Sequence, residues 1–139
     1  MSAKVMIKVV VDTNVLVSAI WNPAGPPAVI MEAVYSGTLE PVVSEQILQE
    51  YANVLMYKKF SFPKYVVNQM LNYFKTFLLP LPPENIFLKC SDPDDTKFLA
   101  AAIAGEASYL ITGNRKHFPK KVTNLKIVTP REMMNLLKL

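Results

Sequence analysis

The run Val5–Val11, "VMIKVVV", ends directly in Asp12, Thr13 and Asn14. A strand points successive side chains to opposite faces. Three consecutive valines therefore put apolar groups on both. Such a strand must be covered on both sides, as in parallel sheets whose crossover helices lie over each face. The carboxylate at its end needs a separate explanation. Asp12 either caps the helix that follows or begins a site.

The rest of the chain keeps the same alternation. Asn14–Ile20 reads as a short helix, then "WNPAGPP" as a proline-stiffened loop. Pro26 and Pro27 start a helix running to Tyr35, with Gly37 just past its end. "EPVVS" (residues 40–44) is a short strand, and Ser44 is a good N-cap for the next helix. Ile47, Leu48, Tyr51, Val54 and Leu55 share one face of it. A further helix is expected from Pro63 to Leu79, its apolar stripe formed by Val66, Val67, Met70, Leu71, Phe74, Phe77 and Leu78. Ile86–Leu88 is a brief strand. Asp92-Pro93 opens a helix ending at Gly105, Tyr109–Thr112 and Leu125–Val128 are strands, and "TPRE" (Thr129–Glu132) is a capping box that starts the last helix. These readings predict an α/β domain with a mostly parallel, five-stranded sheet.

With 139 residues, the expectation is a single domain spanning 1–139. No apolar run is long enough to span a membrane. Lys8 and Asp12 interrupt the apolar N-terminal stretch, which makes it a poor signal peptide. The lone Cys90 rules out an internal disulfide framework and fits a reducing cytoplasm. A net charge of +4 favours a polyanionic partner. The four aspartates (Asp12, Asp92, Asp94, Asp95) fall in only two short segments, which is the sharper clue.

In open parallel sheets ligands bind at the carboxyl ends of strands. Asp12, Ser44, Thr112 and Asn114 all follow strands in this reading. In "SDPDD", Asp92 as N-cap and Pro93 at the first helical position explain most of the acidity. Asp95 is explained less well. Phe98, Leu99 and Ala102 follow it by three, four and seven residues, so it shares their apolar face. An inward carboxylate is costly unless paired or bound to a metal. Glu50 lies at the flank of its helix's buried face, and spacing alone divides evenly between a solvated glutamate and a ligand. No lysine or arginine adjoins Asp12 or Glu50 in sequence. A divalent cation would balance such acids: Mg²⁺ takes oxygen ligands, and a pair of ions can clamp an in-line phosphoryl displacement.

"VVVDTNVLVSA", "SEQILQEYANVL" and "DPDDTKFLAAAIAGEASYLITGN" occur in that order, followed by "VTPREMMNLL". Together they resemble a PIN domain, and more narrowly the toxins of VapC-like toxin–antitoxin systems, from Val9 to about Arg131. The resemblance implies an α/β/α sandwich and a ribonuclease dependent on Mg²⁺ or Mn²⁺. It implies that Asp12, Glu50 and Asp95 are the catalytic, metal-binding acids, supported by Thr13, Asn14, Ser44 and Thr112. Many PIN domains carry T-x-D where this chain has "TGN". Asn114 would be a weaker, uncharged metal ligand, which leaves one or two ions open. Arg115, Lys116 and His117 are candidate RNA contacts, as are Lys58, Lys59, Lys120 and Lys121, against the reading of a solvated basic loop. The resemblance further implies a cognate antitoxin and a homodimer; the cytoplasmic location rests on the lone Cys90.

Two rival functions stand beside this one. An aspartyl nucleophile at Asp12 would usually have a second aspartate two residues on, where this chain has Asn14. A PIN-like module could instead hold RNA or protein without cleaving it, or the nuclease could process RNA without being a toxin.

Overall fold

The computed structural model describes residues 6–84, 90, 92–120, 122 and 124–139. Its strands are β1 (Ile7–Val11), β2 (Leu39–Pro41), β3 (Tyr109–Ile111) and β4 (Lys126–Val128). Its helices are α1 (Thr13–Trp21), α2 (Pro26–Tyr35), α3 (Glu45–Leu55), α4 (Lys64–Lys75), α5 (Thr96–Ala104) and α6 (Pro130–Leu137). Among the described residues the sheet has four strands in the order β2-β1-β3-β4, all parallel. Sequence reading expects five; the fifth, Ile86–Leu88, lies outside the described residues.

Val9, Val10 and Val11 are at most 1% exposed, so both faces of β1 are covered, as three valines in a row demand. Helix α5 packs against β1 and β3, and α2 packs against β2 and α6. The interior is filled by Leu16, Ile30, Leu39, Ile47, Phe74, Phe98 and Leu110, all fully buried. Each such side chain contributes about 1.5–3 kcal/mol on leaving water.

Local signals set several boundaries. The Ser44 hydroxyl accepts from the Ile47 amide (3.2 Å) and starts α3 one residue later. Thr129 and Glu132 form the reciprocal capping box at the start of α6. The second strand is Leu39–Pro41 rather than residues 40–44, and two further departures from the sequence reading have visible causes. The expected helix from Pro63 to Leu79 stops at Lys75, because the Leu79 amide donates to the Val43 carbonyl (2.8 Å) and Leu78 bridges Val43 in parallel. Pairing beside β2 thus takes over from helical propensity. The helix opened by Asp92 begins as a 3₁₀ turn, Pro93–Asp95, and becomes α-helical at Thr96.

Candidate active site

β1 is followed by chain that runs to β2 on one side, while β3 is followed by chain that runs to β4 on the other. The gap between β1 and β3 is therefore the topological switch point, where such sheets open a crevice at their carboxyl ends. Asp12 and Thr112 are the first residues past these two strands. The Asp12 amide donates to the Ile111 carbonyl (2.9 Å), and the Thr112 amide to the Val128 carbonyl (2.9 Å). The ladder thus continues one step and sets the two side chains next to each other.

Asp12 is only 7% exposed. Its Oδ2 accepts from the Thr112 hydroxyl (2.7 Å) and from Asn14 Nδ2 (3.2 Å). Asn14 Oδ1 in turn accepts from the Gly113 amide (3.3 Å), and the Thr112 hydroxyl accepts from the Asn114 amide (3.0 Å). Asp12 occupies the N-cap position of α1, yet its carboxylate makes no capping hydrogen bond. The Thr13 and Asn14 amides at the start of α1 still lower its carboxyl, but less than the Thr112 hydroxyl does, so capping is the weaker of its two interactions. Burial pushes its carboxyl above the usual range; the Thr112 hydroxyl pulls it back, and nearby Glu50 pushes it up again.

Glu50 reaches the site from α3. The next residue, Tyr51, is fully buried, and its hydroxyl donates to the Val11 carbonyl, which ties α3 to the end of β1. Burial raises the Tyr51 phenol well above its usual range, so the hydroxyl keeps the proton that it donates. Glu50 Oε2 accepts from the Thr13 hydroxyl, and Oε1 from Lys97 Nζ at 2.6 Å.

Asp95 stands at the start of α5, its side chain 16% exposed. Its Oδ2 is buried and, among the described residues, is without a hydrogen-bond partner. His117 Nδ1 lies 3.5 Å away, too far for a good hydrogen bond and an ion pair only if the imidazole is protonated. The carboxyl is pushed up to about 6, first by burial and then by the charges of Asp12 and Asp92, with His117 opposing. Asp92 itself caps the turn, accepting from the Asp94 amide (3.0 Å).

Asp12, Glu50 and Asp95 thus lie close enough to repel one another. Nevertheless, among the described residues no three carboxylate, imidazole or thiol groups converge as a ready metal cluster. The Glu50 carboxylate has Lys97 and Thr13 for partners instead. Lys97 was missed in sequence reading, which sought cations next to the acids in the chain. Ser44 is buried as a helix cap, and Asn114 sits exposed in the turn after β3. Arg115 is held in that turn by both carboxylate oxygens of Glu132 (2.8 and 2.7 Å). Lys116 and His117 are exposed and, with Arg115, line a groove of about 760 Å³. A second groove, of about 630 Å³, runs past Glu50, Lys97, Asn53 and Tyr57.

Residues 8–116 match the profile of the PIN domain. The chain is 31% identical over 145 residues to MJ1680, an uncharacterised protein of Methanocaldococcus jannaschii, with 94% of this chain and 92% of that one covered. Among solved structures it is similar to a chain of VapBC2 from Rickettsia felis, crystallised bound to a DNA fragment from its promoter. The TM-score is 0.56 at 19% identity, covering 88% of this chain and 98% of the other. At that identity the likeness is one of fold. Among the described residues no helix is long and apolar enough to cross a membrane.

Proposed function

The chain belongs to the PIN domain family, whose members are generally nucleases, and from that premise we propose that it is a metal-dependent ribonuclease, the toxin of a toxin–antitoxin pair. The observation that carries the reading is the buried Asp95 Oδ2, which has no hydrogen-bond partner among the described residues, beside the buried Asp12 carboxylate. Uncompensated buried negative charge is costly, and folds retain it where a cation is to be held.

The donors suit Mg²⁺ or Mn²⁺, since Asp12, Glu50 and Asp95 offer only hard oxygen atoms. Asn114 is a candidate for a further neutral oxygen. When bound, such an ion lowers the pKa of its water toward neutrality and stabilises charge on a phosphate. The chain's own residues do the rest. Thr112 and Asn14 fix the Asp12 carboxylate, Thr13 fixes one oxygen of Glu50, and Lys97 neutralises the other. Lys116 and His117 are placed to meet RNA phosphates, while Arg115 holds their turn against α6.

A small antitoxin protein is the expected partner, by analogy with the VapBC2 assembly whose fold this chain shares. A homodimer and a cytoplasmic site of action complete the proposal. RNA cleavage with Mn²⁺, Mg²⁺ or chelator tests it, using wild type, Asp12→Asn and Asp95→Asn. Metal-dependent cleavage by wild type alone is expected. Intact RNA across several substrates and both metals would remove the nuclease reading.

A second reading has its own observation. Glu50 is already neutralised by Lys97, and Asn114 brings no charge where the PIN-domain resemblance implies a fourth acid. A binding module that retains RNA without cutting it would give no products in that assay and a measurable RNA affinity by fluorescence anisotropy.

A further inference from the structure

From Tyr51 to Pro83 the chain has four lysines and no aspartate or glutamate. Within this basic segment the connection from α3 to α4 carries a row of rings. Tyr57 stacks on Phe60 with centroids 6.0 Å apart and planes at 26°. Phe60 stacks on Phe62 at 5.1 Å and 13°. Trp21, the last residue of α1, stands edge-on to both, at 5.3 Å from Phe60 and 5.9 Å from Phe62. Lys59 Nζ lies 5.6 Å from the Tyr57 centroid and 5.3 Å from that of Phe60.

The inner rings, Phe60 and Phe62, are half-buried, but the ends of the row are open. Trp21 is 62% exposed and Tyr57 47%. A cluster that served only to seal the α3–α4 connection would gain most by burying its largest ring. Here that ring faces solvent, and the Lys59 ammonium stands over two of the others. Exposed rings with lysines at their margins are the recurring means of holding single-stranded nucleic acid, because every base has a face to stack and every nucleotide a phosphate to pair. Position adds to chemistry: Tyr57 lines the same groove as Glu50 and Lys97. A strand lying on the rings would run directly to the acidic site.

We propose that the exposed rings of Tyr57 and Trp21, braced by Phe60 and flanked by Lys58 and Lys59, form a stacking track for single-stranded RNA leading along this groove to Glu50 at the acidic site. The track rests on the ribonuclease reading for the identity of its ligand. The segment that carries the rings has lysines and no acid, which favours a polyanion over a protein partner at the rings, while the groove beyond them is lined by Glu45, Glu50, Glu84 and Asp94. An A-form duplex keeps its base faces stacked inside the helix, so the track discriminates against double-stranded RNA.

The test is fluorescence anisotropy of the full chain with labelled oligouridylate, oligoadenylate and an RNA hairpin, in chelator so that nothing is cut. Tyr57→Ala and Trp21→Ala are each expected to weaken single-strand binding about tenfold, the loss of one stacked base. Tyr57→Phe should retain affinity, and hairpin binding should stay unchanged. Lys59→Glu, a surface charge change that does not threaten folding, should weaken binding and flatten its salt dependence. Wild-type protein that cleaves RNA while all three disruptive variants bind like wild type overturns the track and leaves the nuclease reading standing. Variants that alter sedimentation of the protein but not RNA affinity also overturn it, and assign the rings to a protein interface. Wild-type protein that neither binds nor cleaves RNA overturns both.

Discussion

Asp95→Asn is expected to stabilise the metal-free protein while abolishing its activity. The folded state holds the Asp95 carboxyl at about 6 against an ordinary 3.8, a span of about two pH units. At about 1.4 kcal/mol per unit that is nearly 3 kcal/mol as an upper bound. The side chain retains 16% exposure, and partial solvent screening reduces the figure to about 1–2 kcal/mol. The sign follows from which state ionises first. The unfolded chain loses this proton near pH 4 and the folded chain near pH 6, so stability is full below the lower value and falls as pH rises to the higher. Above pH 6 the wild type carries the whole penalty and the asparagine variant carries none of it. Urea unfolding in chelator should therefore show the variant about 1–2 kcal/mol more stable at pH 7.5, or about 3–6 °C in Tm. The gap should close near pH 4. RNA cleavage with Mn²⁺ should vanish at the same time. A variant less stable than wild type at pH 7.5, or one whose gain persists undiminished at pH 4, would refute the argument that repulsion and burial strain this carboxylate.

Other substitutions probe other parts. A Cβ added at Gly105 would lie 2.4 Å from Val42 Cγ1, so Gly105→Ala should cost about 1–3 kcal/mol by overpacking, seen as a lower urea midpoint with an unchanged m-value. Thr112→Val removes the hydroxyl that donates to buried Asp12 and should cost about 1–3 kcal/mol in chelator, with Thr112→Ser restoring most of it. Lys97→Met leaves Glu50 Oε1 without its cation; metal-free stability should fall by about 1 kcal/mol, and Mn²⁺ should bind more tightly by calorimetry, since no ammonium competes for that oxygen. Unchanged Mn²⁺ affinity would mean that Lys97 does not compete for Glu50.

What sequence reading captured is mostly local. The valine run requires covered faces, Ser44 and the Thr129–Glu132 pair announce their helices within four residues, and Asp95 shares the face of Phe98 and Leu99 by spacing alone. What it missed is set by contacts between distant segments. Lys97 meets Glu50 across 47 positions, and nothing beside either residue announces the other. The early end of α4 depends on Val43, more than thirty residues back, offering its carbonyl to Leu79. The bidentate hold of Glu132 on Arg115 likewise joins residues 17 apart. A chain scanned for neighbouring opposite charges finds none of these.

The turn after β3 has an unusual standing for a surface connection. Loops commonly tolerate insertion because little depends on their backbone. Here the Gly113 amide is spent on Asn14, the Asn114 amide on Thr112, and the Arg115 guanidinium on the carboxylate that caps α6. Two of those three contacts lead in one further bond to Asp12. The length of this turn is thus fixed from both ends, like a gauge block between β3 and α6. One inserted residue would leave the sheet intact and still misalign the leading carboxylate.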